Sequence, residues 1–315
     1  MIDVIYSFFS LLPLILSTAG TAIGQGLIGL QAIESIHKQP SSAQSISTLC
    51  IIATAITETA SVIGLVIALL LLNDAEHVTN HAFILFPLGG IAAAIGLSGL
   101  LSGIASAYPA VASCQSLARQ PFFQTKILNL MLITQTLIMT PNMFGMIIAL
   151  LIKNQMLTVN NFSHAMQLLC SGLSIGLGCI GPCIGLAFFA YQACLAVGCN
   201  KKGYGKIVTF TFIGEAIIET PVIFALLIAL LILNTTPEPS NLLQPWQFLA
   251  ASLCIGLSTI APGINLGITG AQACKQIAYK LEQYPSISKT ALLGLAMIDT
   301  FTIYGLLMSV IMLLF

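Results

Sequence analysis

The sequence predicts an all-α integral membrane protein of four tandem transmembrane helical hairpins, eight spans in all. Three observations carry this. First, 57% of the 315 residues are hydrophobic and 6% are charged, whereas a soluble domain is about one quarter charged. Second, apolar stretches near or above the roughly 20 residues needed to cross a bilayer recur along the whole chain. Third, one landmark returns: "LVIALLLL" at 65–72, "MIIALLIK" at 146–153, "LLIALLIL" at 226–233 and, loosely, "LLMSVIML" at 306–313. Repeats of this kind define the architecture. Together these observations exclude a sizeable soluble or nucleotide-binding domain. The zero net charge points to no nucleic-acid partner.

The hairpins are expected at 1–79, 80–160, 161–241 and 242–315. Each opens with a span rich in small residues: "AGTAIGQGLIGLQA", "GGIAAAIGLSGLLSGIASA", "GLSIGLGCIGPCIGLAFFA" and "GLSTIAPGINLGITGAQA". Spaced glycines let helix backbones approach closely in a membrane. The first of these spans lacks a basic leader and is read as a retained helix. A polar turn follows, "HKQPSS", "ARQPFF", "CNKKGYG" or the longer "YKLEQYPSIS", and then a bulkier span. Nine of the ten basic residues lie in or beside these turns: Lys38, Arg119, Lys126, Lys201, Lys202, Lys206, Lys275, Lys280 and Lys289. Only Lys153 lies opposite, with Asp74, Glu76 and Glu238 in the links. The positive-inside rule then places the turns in the cytoplasm and both termini outside.

Charge is scarce, yet Glu58 lies inside "TAITETASVIGLVIALLLL". In repeat register it corresponds to Met139, Glu219 and Asp299, so three of the four second spans carry an acid at one depth. An ionisable group in a span is a functional candidate by default. The structural alternative is a protonated acid bonded to a neighbouring helix. Thr59, Thr140, Thr220 and Thr300 follow these positions. Their hydroxyls can serve the acids, or bond their own backbone. Desolvation favours a neutral carboxyl, so an acid in lipid rests protonated or cation-bound, as a reversible ion carrier requires. Glu215 falls on the same face one turn before Glu219. It is a possible second carboxyl, titrating jointly with Glu219, or an inward-facing protonated acid. Cys179 and Cys183, four apart, and His77 and His81 in a link are conceivable metal pairs. Packing and a solvated loop are the plainer readings. No cofactor is expected.

"GQGLIGLQAIESIHKQP" followed by "AITETASVIGLVIALLLL" resembles the c subunit, the rotor-ring proteolipid of F-type ATP synthases, and "ARQP" repeats its polar loop. The resemblance extends over essentially the whole chain, as four fused hairpins. It implies a ring with first helices inside and second helices outside. It implies that Glu58, Glu219 and Asp299 carry ions, while the Met139 hairpin is a passive spacer. Lys38, Gln39, Pro40, Arg119, Gln120 and Pro121 match the loop that grips the central stalk. Other implied partners are the stator, through its a subunit, further copies of the chain and membrane lipid. Catalysis would lie on other subunits, in a bacterial inner membrane.

Sodium rings of the family use a Gln, an acid, a hydroxyl and a Tyr. Hairpin one has Gln25, Glu58 and Thr59 but Ile63. Hairpin four has Asp299, Thr300 and Tyr304 but Leu266. Hairpin three has Glu219 and Thr220 but Leu186 and Phe224. No hairpin has the full set, so protons are expected, with sodium the alternative. A V-type proteolipid and a repeat-built monomeric transporter are the other readings. Transporters of that kind favour inverted repeats, whereas these four hairpins share one orientation.

Overall fold

A computed structural model describes residues 2–74, 83–238 and 242–314. His77, His81 and Glu76 lie outside them. Among the described residues, eight helical spans are long and apolar enough to cross a membrane. They are α1 (Tyr6–Lys38), α2 (Pro40–Asn73), α3 (Leu85–Arg119), α4 (Pro121–Met156), α5 (Phe162–Cys199), α6 (Lys201–Asn234), α7 (Gln244–Tyr279) and α8 (Leu281–Leu314). The described residues contain no strand.

The odd-numbered helices form one continuous row, each packed on the next. Each even-numbered helix lies against its own partner and, where one follows, against the first helix of the next hairpin. The row is held by glycines. A methyl group on Gly24 would overlap the carbonyl of Gly103, and one on Gly185 the backbone of Gly263. Without a hydrophobic drive between helices in lipid, such close approach supplies the packing.

The row has two bare ends. Gly26 and Gly29 of α1 have nothing within 4 Å where an added side chain would point. Their register equivalents in the fourth hairpin, Gly267 and Gly270, pack on Gly185 and Phe189 of α5. At the other end, α8 packs on α6 and α7 and on no further helix among the described residues. A 740 Å³ groove lies between α7 and α8 there, lined by Thr269, Gln272, Thr290 and Gly294 among others.

Several spans are not straight α-helices. Turns interrupt them at Ser106, Cys179, Thr259 and Met139. Pro109, Pro141, Pro182 and Pro262 follow these by two or three residues, and a proline removes the N–H that would close the preceding turn. Pro221 is expected from sequence to kink its helix, yet lies within an uninterrupted α-helix, Tyr204–Asn234. At both Pro141 and Pro221 a threonine hydroxyl bonds the carbonyl that the proline frees: Thr140 to Leu137 O at 2.5 Å and Thr220 to Ile217 O at 2.7 Å. On the side opposite the polar turns, the Tyr6 hydroxyl donates to Leu71 O and Lys153 pairs with Asp74 at 2.9 Å.

Candidate ion-binding sites

Every threonine that follows the acid position bonds the carbonyl three residues back: Thr59 to Ile56 O, Thr140 to Leu137 O, Thr220 to Ile217 O and Thr300 to Met297 O. Two do more. Thr140 Oγ1 lies 2.8 Å from Glu219 Oε1, and Thr220 Oγ1 lies 2.9 Å from Asp299 Oδ1. The hydroxyl of one hairpin therefore serves the acid of the next. It has one proton and two oxygens within reach. It can donate to an ionised carboxylate. When it donates to its own helix, it can accept from the protonated acid. The pair can thus accommodate either protonation state without moving the backbone.

Asp299 has a second hydroxyl, Thr302 Oγ1, at 2.8 Å. Sequence reasoning misses Thr302, whose signal is a threonine three residues after the acid, on the same face. Glu219 and Asp299 are half-buried, whereas Glu58 is exposed and its carboxyl has no side-chain hydrogen bond among the described residues. Glu58 belongs to the first of the four hairpins, and among the described residues no threonine of another hairpin bonds its carboxyl. Thr300, in the fourth hairpin, meets no acid among the described residues.

Not every expected supporting residue meets its acid. Gln25 Nε2 donates to Thr54 O at 3.3 Å, one turn below Glu58. Tyr304 is 61% exposed and packs edge-on against Phe301, with no bond to Asp299. Both side chains point elsewhere.

The second hairpin is built differently. Met139 is buried, and neutral groups surround its level. Gln135 Nε2 donates to Ser106 O at 2.9 Å and to Ala53 O at 3.3 Å. Ser106 donates to Thr57 Oγ1, and Ser98 to Asn142 Oδ1. This hairpin is pinned to its neighbour by amides and hydroxyls at the depth where the others carry an acid.

The fourfold repeat, with three acids at one depth, accords with the family comparison. The family model for the ATP synthase C subunit matches four times, over residues 8–71, 89–152, 169–232 and 249–312. This chain belongs to the ATP synthase C subunit family. It is 30% identical over 226 residues to the A-type ATP synthase K subunit of Methanocaldococcus jannaschii, covering 71% of this chain and 94% of that protein. It is 40% identical over 74 residues to the ATP synthase c subunit of Synechococcus sp. WH7803, covering 24% of this chain and 90% of that protein. Against the ATP synthase c subunit of Gloeobacter violaceus it is 43% identical over 65 residues, 21% of this chain and 79% of that protein. As a member of this family, it is an ion-translocating, multi-pass proteolipid of a rotary ATPase, itself non-catalytic.

In this ATP synthase family member the polar turns bind one another. Gln120 Nε2 donates to Gly198 O at 2.8 Å, and Asn200 Nδ2 to Ala278 O at 3.0 Å. Gln120 is therefore occupied in joining adjacent turns. Arg119 reaches Cys199 Sγ at 3.5 Å. Pro40 and Pro121 open short 3₁₀ turns. Gln39 bonds Ser41 in its own turn, and Lys38 pairs with Glu34. Cys179, by sequence a candidate half of a metal pair, donates its thiol to Gly176 O.

Proposed function

We propose that this chain builds the ring of a rotary ATP synthase and carries protons on Glu58, Glu219 and Asp299. The observation that carries the reading is the pairing of Thr140 with Glu219 and of Thr220 with Asp299, each across a hairpin boundary. It gives a site at two of the three boundaries within the chain, both at one depth, as a rotating carrier needs. The third site offers its acid one hydroxyl, Thr140. A dehydrated sodium ion requires several oxygen ligands, whereas a proton requires only the carboxyl, and every loaded site of a ring must hold the same ion. This favours protons. The stator, through its a subunit, and the central stalk are the partners in this reading. The membrane is a bacterial inner membrane, with the turns cytoplasmic and the termini outside. A second reading, an A- or V-type proteolipid, is favoured by the long match to an A-type K subunit. Copurification of F-type or A-type stalk subunits separates the two.

Dicyclohexylcarbodiimide, which attacks protonated carboxyls in apolar surroundings, tests the sites. Glu58, Glu219 and Asp299 should all be modified, and millimolar sodium should protect none of them. Modification confined to loop acids such as Glu282 sinks the assignment. Protection of all three by sodium overturns the proton reading.

A further inference from the structure

Glu215 is a buried carboxyl that the ion-carrying reading leaves unused. It lies in α6, none of its surface is exposed, and neither oxygen has a hydrogen-bond partner among the described residues. The titratable groups near it are Glu219 on its own helix, Cys194 of α5 and Cys274 of α7. No cation is among them. An ionised carboxylate there would stand uncompensated, so the resident form is the neutral acid. A neutral acid is a donor, and here it has nothing to donate to.

The same position in the other hairpins holds Thr54, Gln135 and Leu295. Gln135, equally buried, spends its donor on two backbone carbonyls. Leu295, also buried, fills the position without any polar atom. Packing therefore does not require an acid at 215, and an orphaned buried polar group calls for a reason. One acceptor that comes and goes lies one helical turn away, because residues four apart on a helix are face neighbours. That acceptor is Glu219, with and without its ion.

We propose that Glu215 is a proton-sharing partner of Glu219. When Glu219 releases its proton, the Glu215 O–H donates to the new carboxylate. The pair then holds one proton and one negative charge over two carboxyls. One proton leaves, from Glu219, and one returns to it; Glu215 keeps its own throughout, and no other reactant takes part. Glu215 is thus a positioning residue for the unloaded state of the third hairpin alone. The proposal rests on the reading of Glu219 as an ion carrier.

The test uses intact rings in native membranes. Carbodiimide labelling is measured at each acid by mass spectrometry across a range of pH, in wild type, Glu215→Leu and Glu215→Gln. Wild-type Glu219 should lose reactivity at a pH about one unit lower than in Glu215→Leu, the shift expected for loss of one hydrogen bond to a charged group. Glu215→Gln, whose amide also donates, should follow wild type. Glu58 and Asp299 should be unchanged in every case. Should the leucine variant fail to assemble, Glu215→Met supplies the same comparison. A Glu219 profile that is identical in wild type and the apolar variant overturns the sharing. So does a glutamine variant that behaves like leucine. If wild-type Glu219 is unreactive at every pH while Glu58 and Asp299 react, the carrier reading of Glu219 fails, and the sharing falls with it.

Discussion

At the scale of the residue, the decisive group is a hydroxyl. A threonine in a helix commonly bonds its own backbone, and all four here do so. What distinguishes Thr140 and Thr220 is an acid from the next hairpin within 3 Å. Valine has the same shape without the donor, so the pairing can be tested one residue at a time. Thr140→Val should alter carbodiimide labelling of Glu219 alone, and Thr220→Val that of Asp299 alone. Each rate should change by about fivefold, the equivalent of a hydrogen bond worth ~1 kcal/mol. Thr59→Val, which faces the Met139 hairpin, should alter none. A change at the acid of the threonine's own hairpin would show that the pairing runs the other way. The depth of the acids was legible in the sequence because a repeat fixes depth. Their partners were not, because partners depend on how neighbouring helices are rotated against each other. Gln25 and Tyr304 do not meet an acid, since position along a helix does not fix side-chain direction. Glu215 was legible as a face neighbour of Glu219. Its burial was one of the two readings that the sequence offered, an inward-facing acid; the neighbours on α5 and α7 that bury it were not legible.

At the scale of the element, the helices divide by what they touch. The odd-numbered helices meet backbone to backbone, and their glycines are structural. Gly185→Val places a side chain into the backbone of Gly263. Overpacking of this kind costs about 1–3 kcal/mol, so the variant should be recovered at reduced yield with a loosened third and fourth hairpin, seen as faster proteolysis. Gly26→Val meets nothing in the single chain. It should fold as well as wild type and fail only at joining another copy, seen as free chains in place of rings. Equal behaviour of the two variants would count against the bare face of α1 as a contact surface. The hairpins and turns were readable from glycine spacing and Gln-Pro signals. The breaks at Cys179 and Thr259 had a signal too, in Pro182 and Pro262. The break at Ser106 had the same signal in Pro109, three residues on.

At the scale of the whole molecule, the two ends complement each other. Glu58 lacks a threonine and Thr300 lacks an acid. Gly26 and Gly29 lack a neighbour, and the groove between α7 and α8 lacks a helix. One copy following another supplies all of these. A ring made of this chain alone must therefore contain hairpins in multiples of four, countable in images of isolated rings. Three copies would give twelve hairpins and nine acids, a quarter fewer ions per turn than a ring with an acid in every hairpin. Met139→Glu should raise the measured ion-to-ATP ratio if the fourth boundary can be made to work. Thr59 is the register counterpart there of Thr140 and Thr220. A wild-type ratio of one ion per hairpin would show that the count of active acids is wrong.

Met139 also bears on time. Around the proposed ring, successive acids are separated by two hairpins, then one, then one: Glu58 to Glu219, Glu219 to Asp299, and Asp299 to the next Glu58. Such a rotor cannot turn at an even pace. Once per chain it must swing twice as far between charges, drawing on one ion for two hairpin widths of travel. A recording of single-rotor motion would show a long stride followed by two short ones. The rhythm itself would mark where each polypeptide begins.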